Sequence, residues 1–361
     1  MEPDELRRIL NDPRIIEKIL GEIRKVSKKL DHVRIMHVCG THEHEIERFG
    51  LRSLLPDNVE IVPGPGCPVC VTPKLEIDRA IFLADKCIIT TYGDMYRVPS
   101  NKGSFENAKS EGKDIRVVYS ITDAIEIAKA EEKEVVHFGV GFETTAPTTA
   151  VALLNSPENF SVISVHRLIP PAILFLLSQG EVKVDAFLDP GHVSTIIGTE
   201  PYEWISERYR VPQAVAGFEP ADILFGIYLL LKQILDGRYE VENAYRRVIK
   251  REGNVKAKRM MNEVFYVKDA EWRGFPEIPD SGYGIKRKYE EKDAIKRFED
   301  ELRGFEYEER EERGCRCAEV LRGIITPEEC GLFGRVCSPS NPVGACMVSS
   351  EGACHIRFKF S

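Results

Sequence analysis

The sequence of 361 residues has no apolar run of the roughly 18–20 residues that a membrane-spanning helix needs. Its first 30 residues are charged and amphipathic, without the apolar centre of a secretory signal peptide. Positive charge is not in excess, because 58 Asp and Glu outnumber 50 Lys and Arg and give a net charge of −8. General nucleic-acid binding is therefore not expected. We expect a cytoplasmic protein that binds neither membrane nor nucleic acid.

Cysteine is absent from residues 88–314, although the chain contains ten cysteines. The early group is Cys39, Cys67, Cys70 and Cys87. The late group is Cys315, Cys317, Cys330, Cys337, Cys346 and Cys354. Cysteines of cytoplasmic proteins are more often metal ligands or redox thiols than structural disulfides. Two separate groups predict two thiol sites, or one site formed by both ends of the chain.

Short apolar runs alternate with helical stretches such as Lys74–Ala84, Thr122–Ala130 and Pro171–Leu177. This alternation is typical of parallel sheets covered by helices. The predicted strands are Val33–Val38, Val59–Val62, Cys87–Thr91, Ile115–Tyr119, Val135–Val140, Val162–Val165, Val184–Leu188 and Ala214–Ala216. We predict an α/β fold. Two Rossmann-like parallel-sheet domains, at residues 31–115 and 116–218, are favoured over one large sheet.

The rest of the chain, residues 219–361, is predicted to be a mixed, mainly helical C-terminal domain. Helices are predicted at Ala221–Ile234 and Val241–Lys250, and residues 268–314 are predicted to form an exposed hairpin or loop with one helix. The tail, residues 315–361, is rich in Gly, Pro and Ser and poor in long apolar elements. A bound metal would supply the stability that such a tail lacks.

The N-terminal residues 4–30 are predicted to be helical. Apolar residues recur at helical spacing, and Asp12-Pro13 interrupts the pattern. We predict a helical hairpin or a kinked helix.

Polar residues follow the predicted strands at their carboxyl ends, where open α/β sheets bind ligands. These residues are Cys39, His42, Cys67, Cys70, Asp94, Glu143, His166, Asp189 and His192. Their repeated occurrence at this position predicts a functional cleft. Glu143 and Asp189 are candidate acid or base groups, or they cap the following segments. His166 and His192 are either part of the site or ordinary hydrogen-bonded or surface histidines.

Cys39, His42 and His44 form a candidate metal half-site, since thiolate and imidazole bind iron or zinc. A buried cysteine beside a histidine at a helix start is an equally good interpretation. Complete coordination would need ligands from another loop, a second protein or small exogenous molecules.

Cys67-Pro68-Val69-Cys70 is a CxxC motif. Thr72-Pro73 is typical of an N-cap followed by proline at the first helical position, so we predict a helix that begins just after Cys70. The positive end of that helix would favour thiolate and reversible disulfide chemistry. The alternative is a zinc knuckle without its second half. Cys87 opens an apolar strand and is predicted to be a core residue.

The tail spacing Cys330-x6-Cys337-x8-Cys346-x7-Cys354 places four thiols on turns. Four thiolates suit either a [4Fe–4S] cluster or zinc, and the spacing matches neither a bacterial ferredoxin nor a zinc ribbon. Cys315 and Cys317 could supply ligands instead, so the set of four remains open.

Several motifs taken together resemble one family over essentially the whole chain. They are Cys39-Gly40-Thr41-His42, Gly64-Pro65-Gly66-Cys67-Pro68-Val69-Cys70, Gly141-Phe142-Glu143-Thr144-Thr145, Pro190-Gly191-His192-Val193-Ser194 and the tail from Gly344 to Cys354. This combination resembles the HypD family of [NiFe] hydrogenase maturation factors.

The resemblance implies a scaffold on which the Fe(CN)2CO unit of [NiFe] hydrogenase is assembled. Its implied partners are a HypC-type chaperone, which brings iron on its own cysteine, and a HypE-type cyanide donor. Two α/β domains and a third domain with a [4Fe–4S] cluster are implied, and residues 1–30 are expected to pack on that third domain. We expect a monomer that joins transient complexes, with redox activity rather than conventional enzymatic turnover.

The resemblance also implies roles for individual residues. Cys39 would be an iron ligand with His42 as its neighbour, and Cys67 and Cys70 would be the redox thiol pair. Asp94, Glu143 and His192 would line the cleft without an assigned role. The cluster would be held by Cys330, Cys337, Cys346 and Cys354.

Two other functions compete with this interpretation. One is an iron–sulfur-dependent protein disulfide reductase that uses Cys67 and Cys70 on an external disulfide. The other is a zinc-stabilised binding module without redox chemistry.

Overall fold

The computed structural model describes residues 3–180, 183–308, 310 and 314–361. Residues 1 and 2 of the predicted N-terminal helices, and residues 309 and 311–313 of the predicted 268–314 region, lie outside the described residues. The strands are β1 (Val33–His37), β2 (Val59–Pro63), β3 (Ile88–Tyr92), β4 (Ile115–Val118), β5 (Val135–Gly141), β6 (Phe160–His166), β7 (Ala186–Pro190), β8 (Gln213–Ala216), β9 (Val241–Asn243), β10 (Phe265–Ala270) and β11 (Ile278–Ile285).

Helices cover both faces of the sheets. They are α1 (Pro3–Leu10), α2 (Pro13–Ser27), α3 (Gly40–Arg48), α4 (Leu51–Leu54), α5 (Lys74–Leu83), α6 (Phe105–Ser110), α7 (Ile121–Ala130), α8 (Ala146–Asn155), α9 (Ile169–Gln179), α10 (Gly191–Ile197), α11 (Glu200–Tyr209), α12 (Pro220–Asp236), α13 (Val255–Val264), α14 (Ala294–Arg297), α15 (Glu299–Leu302), α16 (Cys317–Leu321), α17 (Ala345–Val348) and α18 (Ala353–Phe360). Short 3₁₀ turns occupy Gly93–Met95, Arg287–Lys292 and Pro327–Glu329.

The first sheet has the strand order β2-β1-β7-β8-β9, and the second has the order β4-β3-β5-β6. Every pairing within these two sheets is parallel. Parallel strands are buried on both faces, which agrees with their runs of Val, Ile and other apolar residues. The predicted α/β class with two Rossmann-like parallel sheets is confirmed.

All eight predicted strands are present within a few residues of their predicted bounds. The predicted helix at Val241–Lys250 is wrong, because its first residues form β9 instead. The backbone N–H of Gln213 bonds to Glu240 O, and Ala244 N–H bonds to Val215 O, so the segment completes the edge of the first sheet. A three-residue edge strand is too short to show its own periodicity, and the pairing with β8 is a tertiary effect.

The two sheets do not divide the chain at residues 115 and 116. The first sheet takes β1 and β2 from the early segment and β7, β8 and β9 from much later, while β3 pairs with β5 in the second sheet. The first sheet is therefore discontinuous in sequence. Alternating strands and helices indicate that parallel sheets form, but they do not indicate which strands pair.

The core has three parts, which follow from the alternation of side chains along the strands. On β7, Phe187 packs into the central cluster, which also contains residues of β5, α5, α11 and the C-terminal tail. Ala186 and Leu188 face the other side and pack with α2 and α12. The outer face of the second sheet packs against α7, α8 and α13. The central cluster thus joins both sheets and the tail.

The N-terminal helices α1 and α2 are separated at Asp12-Pro13, as predicted, and Asp12 caps α2. Leu20 and Ile23 are buried with α12 and the first sheet. The region after α13 opens with the antiparallel hairpin β10–β11, in line with the predicted exposed hairpin, and Leu168 N–H bonds to Ser281 O to join it to the second sheet. Across the described part of the chain, the helices are all too short or too polar to cross a membrane.

Candidate functional site

The candidate residues lie at the point in each parallel sheet where the strand order reverses. Within the first sheet, β1 and β7 are neighbours from which the chain proceeds to opposite sides, and Cys39 follows β1 while Asp189 lies near the end of β7. Within the second sheet, β3 and β5 are the equivalent neighbours, with Asp94 and Glu143 just after them. Ligands of open α/β sheets bind at such switch points. The fold therefore places the predicted residues at the position expected of a site.

Cys39 immediately precedes α3 and is 7% exposed. Burial raises the pKa of its thiol to about 12, and the charge of Glu351 acts in the same direction. The backbone N–H groups of Thr41 and His42 at the start of α3 oppose this shift. The thiol is thus protonated in the isolated chain, and a bound cation would be needed to hold it as thiolate.

The loop of the CxxC motif approaches Cys39 closely. Gly40 N–H donates to Gly66 O over 3.1 Å. A Cβ atom on Gly66 would collide with the backbone of Val38 and Cys39, so only glycine permits this approach. The structure therefore brings the Cys39 loop and the CxxC loop to one face of the molecule.

His42 is fully buried one turn into α3. Its Nε2 lies 2.9 Å from Gly217 O, and because a carbonyl oxygen only accepts, Nε2 carries the proton. Burial lowers the pKa of His42 to about 3, so the ring is neutral. Nδ1 therefore carries a lone pair and has no hydrogen-bond partner among the described residues. Buried nitrogen atoms usually have a hydrogen-bond partner, and the binding of a ligand to Nδ1 would explain why this atom lacks one.

Cys67 and Cys70 are both buried and lie within disulfide distance, with Cα atoms 5.3 Å apart. Cys70 N–H points at Cys67 Sγ, 3.2 Å away. The predicted Thr72 N-cap is wrong, because Thr72 Oγ1 donates to Pro68 O within the loop and α5 begins at Lys74. The helix α5 therefore begins one residue later than predicted.

Three consecutive tail residues connect the separate loops. Ser349 Oγ lies 3.4 Å from Cys67 Sγ and donates to Asp94 Oδ2 over 3.3 Å, and Ser350 Oγ donates to the same oxygen over 2.9 Å. Thr41 Oγ1 donates to Glu351 Oε1 over 3.3 Å. Residues 349–351 thus contact the CxxC loop, the loop after β3 and the start of α3.

Glu143 is buried, and its carboxylate accepts a hydrogen bond from Ile169 N–H over 3.1 Å. Burial raises the pKa of Glu143 to about 8. Asp189 is also buried, neither of its carboxyl oxygens has a hydrogen-bond partner among the described residues, and burial raises its pKa. Burial raises the pKa of Tyr202 as well, and the charges of Asp189, Glu143 and Cys39 add to this. These side chains therefore share one buried region between the two sheets.

His192 lies at the exposed side of this region. Its ring stacks on Phe218 with a centroid distance of 4.0 Å, and the ring of the buried His42 contacts the same Phe218 at 5.2 Å. His192 is exposed, unlike His42.

The tail cysteines gather round one apolar cavity, lined by Cys315, Cys317, Cys330, Cys337, Cys346 and Cys354. Cys346 lies within disulfide distance of Cys317, with Cα atoms 6.2 Å apart. The pKa of Cys354 is raised by burial and by the charges of Cys315, Cys337 and Cys330. Cys346, a member of the predicted set, is therefore placed in a pair with Cys317, while Cys315 lines the same cavity as Cys330, Cys337 and Cys354.

Among residues 3–180, 183–308, 310 and 314–361, no three His, Cys, Asp or Glu side chains converge as a site for a single metal ion would require. Cys39 and His42 are thus at most half of such a site. A cubane cluster makes a different demand, because each thiolate binds its own iron at a separate corner. Thiols spaced around a cavity suit that arrangement.

Comparison with known proteins identifies the family. The family model described as "HypD: Hydrogenase formation hypA family" matches residues 14–361. The chain belongs to the HypD family. A putative hydrogenase expression/formation protein of Methanocaldococcus jannaschii is 49% identical, covering 97% of this chain and 98% of that protein. The hydrogenase maturation factors HypD of Cupriavidus necator and Escherichia coli are 42% and 41% identical, over 97% and 98% of this chain and 95% and 98% of theirs.

Membership of the HypD family establishes that the chain functions in hydrogenase maturation. Ser349, Glu351 and Tyr202 are parts of the site that were not predicted from the sequence. Ser349 and Glu351 lie between two cysteines of the tail motif, which was a usable signal. Tyr202 lies in an ordinary amphipathic helix and carried no signal.

Proposed function

We propose that this chain is the scaffold on which the Fe(CN)2CO unit of [NiFe] hydrogenase is assembled, with iron as cargo at Cys39. The observation that carries the proposal is the joining of three thiol regions. Residues 349–351, which lie between Cys346 and Cys354, contact Cys67 and the start of α3 beside Cys39. A scaffold that couples iron binding to redox chemistry needs this proximity.

The proposed iron half-site consists of Cys39 and the buried face of His42. Cys39 Sγ would bind iron as thiolate. His42 lies at the same helix start, and its Nδ1 has no hydrogen-bond partner within the described part of the chain. Because two protein ligands do not complete a coordination sphere, the remaining ligands come from a HypC-type chaperone and from cyanide and carbon monoxide. A HypE-type protein is the proposed cyanide donor.

The proposed redox pair is Cys67 and Cys70. Its position next to Gly66 and the Cys39 loop places the two sulfurs beside the proposed iron ligand. Asp94 approaches the pair through Ser349. We assign Asp94 to the hydrogen-bond network of the pair, and Glu143 and His192 to the lining of the cleft.

The tail residues fit a [4Fe–4S] cluster. The donors are thiols, the cavity is apolar, and the tail has few long apolar elements of its own. We propose Cys315, Cys330, Cys337 and Cys354 as the residues that hold it, since these four line the cavity together while Cys346 lies within disulfide distance of Cys317. A bound cluster would supply one-electron transfer.

Infrared spectroscopy of the chain purified anaerobically with its chaperone tests the iron site. Cyanide and carbonyl stretching bands are expected for the wild type and are lost in Cys39→Ala, because the iron loses its thiolate. Cys87→Ala is the matched control, since Cys87 is also a buried cysteine but lies in the core at the start of β3. Bands that persist unchanged in Cys39→Ala would refute the assignment of the iron to this chain.

The ligand set is tested by serine substitution in the anaerobic protein. Cys315→Ser is expected to lose the iron, the sulfide and the visible absorbance of the cluster, because one iron atom lacks its thiolate, whereas Cys346→Ser keeps four iron atoms per chain. Iron and sulfide analysis gives the readout. If Cys346→Ser loses the cluster and Cys315→Ser retains it, the set predicted from spacing is the correct one. Stoichiometric zinc with no sulfide would favour the zinc-stabilised binding module.

The competing function is a protein disulfide reductase. The proximity of Cys67 and Cys70 is compatible with it. A reductase would reduce an external protein disulfide at the same rate in the wild type and in Cys39→Ala. On the scaffold proposal, redox cycling of the pair serves the iron at Cys39, and the chain acts without conventional turnover as a monomer in transient cytoplasmic complexes.

A further inference from the structure

The hydroxyl of Ser349 lies between Asp94 Oδ2, to which it donates, and Cys67 Sγ, which carries no proton in the disulfide and can therefore only accept. Its oxygen lies 3.4 Å from Cys67 Sγ and 3.3 Å from Asp94 Oδ2, and it also accepts a hydrogen bond from Glu351 N–H over 3.2 Å. Ser349 is fully buried, so water does not compete for this hydrogen bond. A hydroxyl has one proton to donate, which must therefore go to either the carboxylate or the sulfur.

The oxidation state of the pair changes the strength of one acceptor. In a disulfide, Cys67 Sγ is a weak acceptor, and the Asp94 carboxylate is the stronger one. A thiolate carries a full charge, and a hydrogen bond to it in a buried site is strong. Cys70 N–H is already directed at Cys67 Sγ over 3.2 Å, so Ser349 would be the second donor to that sulfur.

We propose that Ser349 is a positioning residue for the thiol pair, whose hydroxyl turns from Asp94 to Cys67 on reduction and makes Cys67 the thiolate of the pair. This inference rests on the proposed redox role of Cys67 and Cys70. It extends that role by naming which sulfur carries the charge and which residue of the C-terminal tail selects it. The orientation of the Ser349 hydroxyl in the tail would then depend directly on the oxidation state of the Cys67–Cys70 pair.

Reduction by an external dithiol such as dithiothreitol illustrates the balance. The Cys67–Cys70 S–S bond breaks, one S–S bond forms in dithiothreitol, and two electrons pass to the protein pair. Of the two protons lost by dithiothreitol, one remains on Cys70 and one is released to solvent. Cys67 remains as thiolate with Ser349 O–H and Cys70 N–H as donors.

Several charged groups lie near this network. Asp94 faces Ser349 from the turn after β3, and Glu351 follows in the tail, with its carboxylate held by Thr41. Lys74 at the start of α5 directs Nζ to Arg310 O over 2.5 Å, away from the pair. The charge that competes with Cys67 for the hydroxyl is therefore that of Asp94.

The test is the pH dependence of alkylation in the full-length protein, reduced with dithiothreitol under anaerobic conditions. Iodoacetamide labelling of Cys67 and of Cys70 is measured separately by mass spectrometry of peptides. In the wild type, Cys67 is expected to react with the lower pH midpoint. In Ser349→Ala the midpoint of Cys67 rises by about 1 pH unit, a tenfold loss of thiolate, because one hydrogen bond to a charged sulfur is lost.

Ser350→Ala is the matched control. Ser350 is the next residue and also donates to Asp94, but it has no contact with Cys67 among the described residues. Its midpoint is expected to rise by less than that of Ser349→Ala, because the hydroxyl that reaches Cys67 is retained. Ser349→Thr retains the hydroxyl and restores a low midpoint. Asp94→Asn removes the competing charge and moves the midpoint of Cys67 in the opposite direction to Ser349→Ala, which a purely structural effect would not do.

Two results would overturn the inference while the redox role stands. One is a pair that dithiothreitol reduces with the same Cys67 midpoint in the wild type and in Ser349→Ala. The other is an equal rise in Ser349→Ala and Ser350→Ala. A wild-type pair that no dithiol reduces would instead refute the redox role itself, and the inference with it.

Discussion

Substitution of Gly40 by alanine probes the contact between the C-terminal tail and the start of α3. A Cβ atom at this position would lie 2.5 Å from Glu351 Cβ and 2.6 Å from Glu351 O. Because the second contact is with backbone, the tail segment has to move. Overpacking of this kind costs about 1–3 kcal/mol, and the better helix propensity of alanine returns at most about 1 kcal/mol. We expect the free energy of unfolding in urea to fall by about 1–2 kcal/mol.

Gly21→Ala is the matched control. Gly21 lies within α2, and a Cβ atom there would meet nothing within 4 Å. This variant is expected to gain about 0.5–1 kcal/mol of stability. Displacement of the tail in Gly40→Ala should also draw Ser349 away from Cys67 and raise the pH midpoint of Cys67 alkylation. The reasoning fails if Gly40→Ala is stabilised as much as Gly21→Ala and its alkylation is unchanged.

Two further predictions concern charged groups. Arg357 on α18 pairs with Glu47 on α3 over 2.6 Å in a partly buried position, so Arg357→Met is expected to lower the unfolding free energy by about 2 kcal/mol. Arg24→Met, which breaks the exposed pair with Glu17, should cost less than about 1 kcal/mol in the same urea assay, and equal costs would contradict the role of the α3–α18 contact. Burial raises the pKa of Glu143 to about 8. Between about pH 4.5 and 8, Glu143 therefore keeps its proton in the folded state while the unfolded chain loses that proton. The buried group thus destabilises the fold progressively as pH rises through this window. In Glu143→Gln that decline should be reduced by about 1.4 kcal/mol per pH unit, measured by urea unfolding at pH 5, 6.5 and 8, and parallel profiles would disprove the shift.

The elements of the fold were largely predictable from local sequence. The eight predicted strands and the helices at α2, α5, α7, α9 and α12 follow from apolar periodicity, because each element buries a face or a whole run of side chains. The pairing of strands was not predictable in the same way. β3 joins β5 although the early segment holds β1 and β2, since pairing depends on which apolar faces meet across the chain.

The candidate site, like the fold, was predictable from the sequence only in part. The sequence by itself determined that thiols, histidines and carboxylates follow the strands, since the carboxyl ends of parallel strands form one edge whatever the order of the strands. Only the tertiary structure decided that residues 349–351 lie against Cys67 and Thr41, and that Cys346 lies within disulfide distance of Cys317. These contacts join parts of the chain that are about 250 residues or more apart, or that lie on irregular turns. Such contacts leave no periodic pattern in the sequence from which they could be predicted. Residue type and spacing indicate the local chemistry, whereas contacts between distant loops result from the packing of the whole core.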